Sequence, residues 1–335
     1  MKTMSHIYFL AICYLLSNLS LQAQKLNFVK IQESNDIFSA DNNDRYFTQG
    51  LKLEVMSNAL SRINKKILVD RILIKPPSDS SFANHASISF IQEFYTPSDK
   101  TADSILPNDR PFAGVMYLSL RNISVSPKES YRITSDLSIG VLGPAALGRE
   151  MQNGVHMVFK KQNADTNILG WNYQVKNDLY LNYLLKYEKI MINTKILQTS
   201  YIYQFDLGTI YNDFGFGARA QFGIFNSYFD KNLGYIARED KGSFKLFKQI
   251  QAYLFFNPVV KMVLWNSLLQ GGIIGNMQGN QPYTMSENDI SRLVVDGSYG
   301  AIFILGRFSV QFIQYFKSKE FDKGYNHRYG NVTVA

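Results

Sequence analysis

The chain has 335 residues, 46% hydrophobic and 14% aromatic, with a formal charge of +8. That is ample for a sizeable core, and the modest basic excess suits an anionic surface or simply a solvated lysine face. No Lys/Arg-rich run is interleaved with aromatics, which argues against nucleic acid as a partner, and no obligate protein partner is expected.

Residues 1–23 read as a secretory signal. Lys2 supplies a thin charged region, Ile7 to Leu16 is an apolar run, and Ala23 offers a small residue for cleavage before Gln24. The run is too short to span a bilayer as a helix. The only cysteine, Cys13, lies within it behind Ile12, where a lipoprotein site would prefer a small residue. The exported chain, residues 24–335, is read as one domain without a disulfide, a thiolate metal site or a cysteine nucleophile.

The stretch that follows crowds Asn35, Asp36, Asp41, Asp44 and Arg45 together. Such carboxylate and amide oxygens beside a turn either hold a hard cation such as calcium or build Asx turns. A strand pattern comes next, with Leu51, Leu53 and Val55 on one face and Lys52 and Glu54 on the other. Residues 57–74 suit a short amphipathic helix through Ile63, Ile67, Leu68 and Ile72, and residues 75–85 and 96–111 read as loops. Period-two alternation then recurs over Tyr131 to Val141, Tyr173 to Leu185, Phe214 to Phe222 and Phe308 to Phe312. Each run is about the 9–11 residues a tilted strand needs to cross a bilayer, and no later stretch is long and apolar enough for a spanning helix.

A soluble β-protein would turn the apolar faces of such strands inward; a transmembrane barrel turns them out to lipid. The export signal, aromatics toward strand ends (Tyr173, Tyr183, Tyr187, Tyr201, Tyr203) and polar faces carrying Arg, Lys, Asp and Gln favour the barrel.

Three histidines follow the leader. His85 falls in a polar loop and His327 in a Lys/Arg-rich stretch, both read as solvated. His156 follows a strand end, the Gly143-Pro144 turn and one or two helical turns, which set Gln152 and His156 one turn apart on one face. A histidine titrates near neutrality and so can take a proton from water, although a lone one is more often structural. There is no Gly-x-Ser-x-Gly elbow, no His-Glu-x-x-His, no P-loop and no dinucleotide fingerprint.

Several segments occur in a telling order. They are Asn-Asp-x-Phe at Asn35, Asp36 and Phe38; Asp44-Arg45-Tyr46 with Gly50; Tyr95-Thr96-Pro97; and Asp109-Arg110-Pro111 with Ala113-Gly114. Then come Gly143-Pro144, Gln152, His156, Gly170-Trp171 with Gln174, and Ser318-Lys319-Glu320-Phe321. The ordered set resembles the outer-membrane lipid A 3′-O-deacylases, most fully between about residues 30 and 190. The resemblance implies an all-β, transmembrane antiparallel barrel of about twelve strands. Its active site would lie between the barrel wall and the lipid or extracellular side. It further implies calcium-dependent removal of the 3′-linked acyl chain of lipid A in the bacterial outer membrane. His156 would be the base that activates water, with Asn35 and Asp36 holding calcium and the developing oxyanion.

Gln49 replaces the family's usual asparagine and Phe112 its frequent tyrosine. The acidic residue expected after the histidine falls near Gln162 and Asp165, and the family's serine or threonine falls at Ser57. Because lipid A carries phosphates, Arg110 is the first candidate for gripping substrate, with Arg45, Arg149 and Gln152 behind it. Arg110 paired with Asp109 or Asp44, merely locking its loop, is the alternative. At the level of function, the alternatives are a calcium-dependent outer-membrane phospholipase with a serine nucleophile and a non-enzymatic porin.

Overall fold

The computed structural model describes residues 26–39, 45–57, 60, 72–74, 82–99, 102–159, 168–231, 233–234, 250–279 and 281–335. For residues 26, 27, 37 and 155–159 the description covers the backbone alone. The leader, the helix expected within 57–74 apart from its last residues, most of the loop at 75–85, and Asp41, Asp44, Gln162 and Asp165 lie outside the described residues.

Twelve strands make the body. They are β1 (Leu26–Asn35), β2 (Tyr46–Ser57), β3 (Ala83–Thr96), β4 (Ala113–Ser126), β5 (Tyr131–Leu142) and β6 (Asp178–Asn193). The second half comprises β7 (Leu197–Gly208), β8 (Tyr211–Ile224), β9 (Ile250–Asn266), β10 (Leu293–Leu305), β11 (Phe308–Lys317) and β12 (His327–Val334). Each strand pairs antiparallel with its sequence neighbours, and β12 pairs with β1 to close the barrel. Closure satisfies every strand's backbone groups, which an open edge in hydrocarbon would leave bare. No described helix is long and apolar enough to cross a membrane.

The alternation read from sequence sorts as a lipid-facing barrel requires. Phe205 and Leu207 of β7, Phe216 and Phe222 of β8, Leu254 and Phe256 of β9, and Phe308 and Phe312 of β11 are exposed. Their neighbours Gln198, Ser200, Gln221, Gln251, Ser309 and Gln311 are buried inside. One expected strand is shorter than its pattern: β6 begins at Asp178 rather than near Tyr173. Leu169–Tyr173 instead form a 3-10 turn, because a Cβ at Gly170 would strike the Phe112 ring and Trp171 is drawn into the core beside it. His85 stands in β3, its ring 2.7 Å from the Lys231 carbonyl oxygen, and not in a loop. His327 opens β12 and is 4% exposed, edge-on to Tyr46, so it is not solvated.

Short turns at 127–130, 194–196 and 306–307 share one rim with both chain-end strands. Connections 36–45, 97–112, 143–177, 267–292 and 318–326 share the other with the two-residue turn 209–210. Short turns mark the periplasmic side of outer-membrane barrels, so the second rim is extracellular.

The lumen is filled near both rims. Phe47, Tyr95, Tyr180 and Leu268 form an aromatic cluster with Tyr117, Tyr211 and Tyr329 under the extracellular rim. Phe47 stacks on Tyr329 at 3.9 Å and Tyr117 on Tyr180 at 4.1 Å. At the opposite rim the segment after β8 folds in, setting Tyr228 between the guanidiniums of Arg132 (4.0 Å) and Arg219 (4.4 Å). Phe229 and Leu233 pack there on Met56, Ile123 and Val125. A cavity of about 250 Å³ inside the barrel is lined by Lys52, Glu93, Arg121, Asp136 and Asp206, among others. Arg121 binds Asp136 at 2.8 Å and Glu54 at 3.6 Å, while Glu93 and Asp206 accept hydrogen bonds from the Tyr95 hydroxyl and the Asn182 amide.

Candidate active site

The candidate residues do not gather in that lumen. In β1, Gln32 and Ser34 line the inner cavity while Ile31 is 52% exposed, so by alternation Glu33 and Asn35 face outward. Asn35 lies in register with Gln49 of β2 on one side and Gly330 of β12 on the other. Gln49 Nε2 donates to Glu33 Oε1 at 3.2 Å across the diagonal. The register slips between Phe47 and Gln49, a bulge that sets Thr48 out of step. Its hydroxyl is 2.8 Å from that of Thr96, whose strand turns Gln92 and Phe94 to the same outer side. The outer wall thus carries a polar patch just below the extracellular rim. The serine expected at Ser57 ends β2 at the opposite rim; the hydroxyl that β2 brings to the patch is Thr48.

Beyond Asn35 the chain turns through the 3-10 segment Asp36–Phe38, with Asp36 buried. This turn sits tight against β12. A Cβ at Gly330 would collide with the Phe38 carbonyl, and Gln314 Nε2 donates to that carbonyl oxygen at 2.8 Å. Only glycine on β12 permits the approach.

The neighbouring wall is covered by α1 (Gly148–Phe159). The chain leaves β5 through Gly143, whose φ of 91° suits glycine, and its amide donates to Gly114 O at 2.8 Å. Gln92 Nε2 donates to Ala146 O at 2.7 Å, pinning the turn to the outer face of β3. A Cβ at Gly148 would meet the Trp171 ring, so the start of α1 lies directly on that indole. Trp171 is 1% exposed, packs on Phe94 and Phe112, and donates from Nε1 to Gln152 Oε1 at 2.6 Å. The Gln152 carbonyl oxygen is therefore engaged in docking the helix, while its buried Nε2 has no hydrogen-bond partner among the described residues. The His156 backbone lies one turn further along α1, and its side chain is outside the described part.

The arginines are placed differently from one another. Arg110 is enclosed on the lumenal side of the mouth, its guanidinium 4.5 Å from the Tyr95 ring centre. Nη1 lies 3.5 Å from Glu320 Oε2, so among the described residues its ionic partner is Glu320 rather than Asp109, and Asp44 lies outside them. Asp109 is taken up by the Ser98 amide and hydroxyl and by the amide of Arg110 itself. Burial raises the Glu320 carboxyl, but the Lys317 ammonium and then the Arg110 guanidinium outweigh it and hold it at about 2. Arg45 donates to Asn326 O at 3.1 Å and lies 4.8 Å from the Tyr325 ring centre, tying β2 to the last extracellular loop. Arg149 donates to Asn172 Oδ1 at 3.0 Å beside α1.

Among the described residues no group of three or more His, Cys, Asp or Glu is arranged to hold a metal ion. The site's side chains are oxygen donors: the Asp36 and Glu33 carboxylates with the amides of Asn35 and Gln49. That chemistry fits a hard cation such as calcium, which also accepts backbone carbonyls and water, and does not fit zinc.

A family model described as outer membrane protein LpxR matches residues 8–335. The chain belongs to the LpxR family. It is accordingly an outer-membrane barrel, as its lipid-facing strands require. LpxR from Salmonella typhimurium is similar in structure, with a TM-score of 0.67 at 20% identity over 91% of this chain and 98% of that one. At that identity the likeness speaks for the fold. The NanC porin (TM-score 0.40, 4% identity, covering 92% of this chain and 98% of that one) shares no more than general barrel form. The same holds for the β domain of the Bordetella autotransporter BrkA (0.40, 8%, 91% and 96%). A search of curated proteins gave no match.

Proposed function

We propose that this LpxR-family barrel is a lipid A 3′-O-deacylase that hydrolyses the 3′-linked acyl ester. The observation that carries the reading is the outward-facing polar patch of Asn35, Glu33, Gln49 and Thr48, set just below the extracellular rim beside α1. A soluble substrate has no reason to meet a catalytic patch there, whereas an outer-leaflet lipid reaches it by lateral diffusion with its ester at rim height. The filled lumen supports an enzyme over a pore.

In this mechanism His156 takes a proton from water, and the hydroxide adds to the acyl carbonyl. The Asn35 amide donates to the oxyanion as it forms, so its contribution is greatest in the transition state. Collapse breaks the bond between the carbonyl carbon and the sugar oxygen. That oxygen recovers the proton from His156, releasing a free fatty acid and the 3′-hydroxyl. Asp36 and Asn35 are the residues that would hold calcium. Bound there, it would add positive charge for the oxyanion. Arg110 and Arg45 bring extracellular loops together at the mouth, and Gln152 docks α1 through Trp171.

The test is mass spectrometry of lipid A and phospholipids from an outer-membrane host expressing the chain or its His156→Ala variant. Lipid A short of one 3′ acyl chain, only with the wild type, is the expected result. Deacylated phospholipid beside intact lipid A would establish the phospholipase instead. Full activity of a folded His156→Ala protein would remove the histidine from the mechanism.

A further inference from the structure

On the side of the barrel away from the patch, one hairpin brings two carboxylates face to face. β7 and β8 are joined by Thr209 and Ile210 alone. Phe205 and Leu207 are exposed on the outer wall, where Phe214 packs on Phe205 at 4.9 Å. By alternation Asp206 and Asp213 turn into the lumen, and there they stand in register with each other. Like charges directly opposite on neighbouring strands repel.

The surroundings leave that charge in place. The ammonium of Lys261 on β9 lies 3.3 Å from Asp296 Oδ2 and 3.9 Å from Asp213 Oδ2. Lys317 and Arg110, in the mouth, are bound to Glu320 at 3.4 and 3.5 Å. Asp206 is held by a neutral group, its Oδ1 accepting from Asn182 Nδ2 at 2.7 Å. Asp213 is 8% exposed, and its Oδ1 is buried with no hydrogen-bond partner among the described residues. Three carboxylates around this hairpin thus face one ammonium.

A buried oxygen without a partner is costly, and in folded proteins it is met by water or by an ion. Both have room here. Asp206 lines the lumenal cavity of about 250 Å³, and Asp213 lines a second of about 40 Å³ with Lys261 and Asp296. The smaller one holds an ion or about three waters. Tyr211 lines both cavities. Water would satisfy Asp213 Oδ1 but leave the excess negative charge; a cation answers both.

We propose that Asp206 and Asp213 bind a hard divalent cation, calcium or magnesium, at the extracellular end of the lumen. Carboxylate oxygens suit such an ion, and two carboxylates suffice when water completes its shell. Its role would be structural. The loop 267–292 is pinned to the same hairpin, with Ser267 Oγ donating to Thr209 O at 2.6 Å and Ser267 N to Ile210 O at 2.8 Å. An ion bridging β7 and β8 fixes the base on which that loop rests. These strands lie six places round the barrel from β1 and β2, so the site is separate from the one at Asp36 and does not rest on the deacylase reading.

The experiment uses the exported chain folded in detergent micelles, with Asp36→Ala as background so that the outer-wall site is silent. Each protein is checked for folding by heat-modifiable gel migration. Terbium is the probe, because tyrosine excitation sensitises its emission at close range and Tyr211 borders both carboxylates. Emission that calcium or magnesium displaces is expected, and adding Asp213→Asn or Asp206→Asn should weaken terbium binding tenfold or more. Calcium at a hundredfold excess over its Kd should raise the apparent Tm by about 5 °C in the background protein and leave both added variants unmoved. In chelator, Asp213→Asn should melt no lower than the background, since it removes a repulsion. Absence of displaceable emission, or binding unchanged in both variants, would overturn the assignment. So would a Tm that follows pH but ignores both cations, which would mean that the two carboxylates share a proton.

Discussion

Glu320→Gln tests whether the mouth is held by the buried pair with Arg110. The Arg110 side chain is 0% exposed and that of Glu320 10%, with 3.5 Å between Nη1 and Oε2 and Lys317 Nζ 3.4 Å from the other oxygen. At an effective dielectric of about 20, one such contact is worth roughly 5 kcal/mol before desolvation. The depression of the Glu320 carboxyl from 4.5 to about 2 corresponds to roughly 3 kcal/mol, so about 3 is taken as the net loss on removing the charge. The sign follows from the depression: the stabilisation is complete above pH 4.5 and disappears as pH falls toward about 2. The loss is local to the loops, so the assay is hydrogen exchange in micelles at the amides of Asp322, bonded to Asp289 O, and Ser318, bonded to Val295 O. About 3 kcal/mol appears as exchange roughly a hundredfold faster at pH 7, with the acid-dependent loosening of the wild type abolished. Exchange within twofold of wild type would refute the reasoning. So would an Arg110→Lys protein with unchanged protection and a raised KM, which would return Arg110 to phosphate binding.

Gln152→Leu leaves the buried Trp171 N–H without its acceptor and is expected to cost about 1–3 kcal/mol in the docking of α1, whereas Gln152→Glu keeps the acceptor. Proteolytic nicking of 148–159 with each variant checks this. In planar bilayers the purified protein should show no sustained open channel, because aromatic clusters fill the lumen near both rims; steady porin-like conductance would contradict the packing. Chelation of calcium should abolish hydrolysis reversibly, and Asp36→Ala should lower activity about 10²–10³-fold while weakening calcium binding measured by calorimetry.

Much of the barrel was legible because half of every spanning strand must be apolar. Alternation over 131–141, 214–222 and 308–312 corresponds to β5, β8 and β11, whose outward residues include Ile139, Phe216 and Phe312. The pattern overran only where tertiary contacts took over, at Val175, which sits in the extracellular core and donates its amide to Phe112 O at 2.9 Å. What local sequence could not give was register. The bulge that turns Thr48 outward depends on how β2 meets β3, and Arg110 meets a carboxylate 210 positions away. Glu33 was within reach: it continues the Ile31 alternation, so a carboxylate on the lipid-facing side was already written there.

That misplaced-looking carboxylate bears on why the site lies outside the barrel. Inside, Glu54, Asp136 and Glu188 are matched with Lys52, Arg121, Arg132 and Lys186 at 2.8–3.7 Å, which stiffens the wall but leaves the charges neutralised. On the outer wall, Glu33 accepts a hydrogen bond from the Gln49 amide, and Asn35 stands one pleat above it. A carboxylate held by an amide at low dielectric is costly in the resting protein and interacts strongly with a cation that arrives. Lumenal cations already paired with carboxylates have little to offer a developing oxyanion. The outer patch has more, and its position makes a membrane lipid the molecule that can collect it.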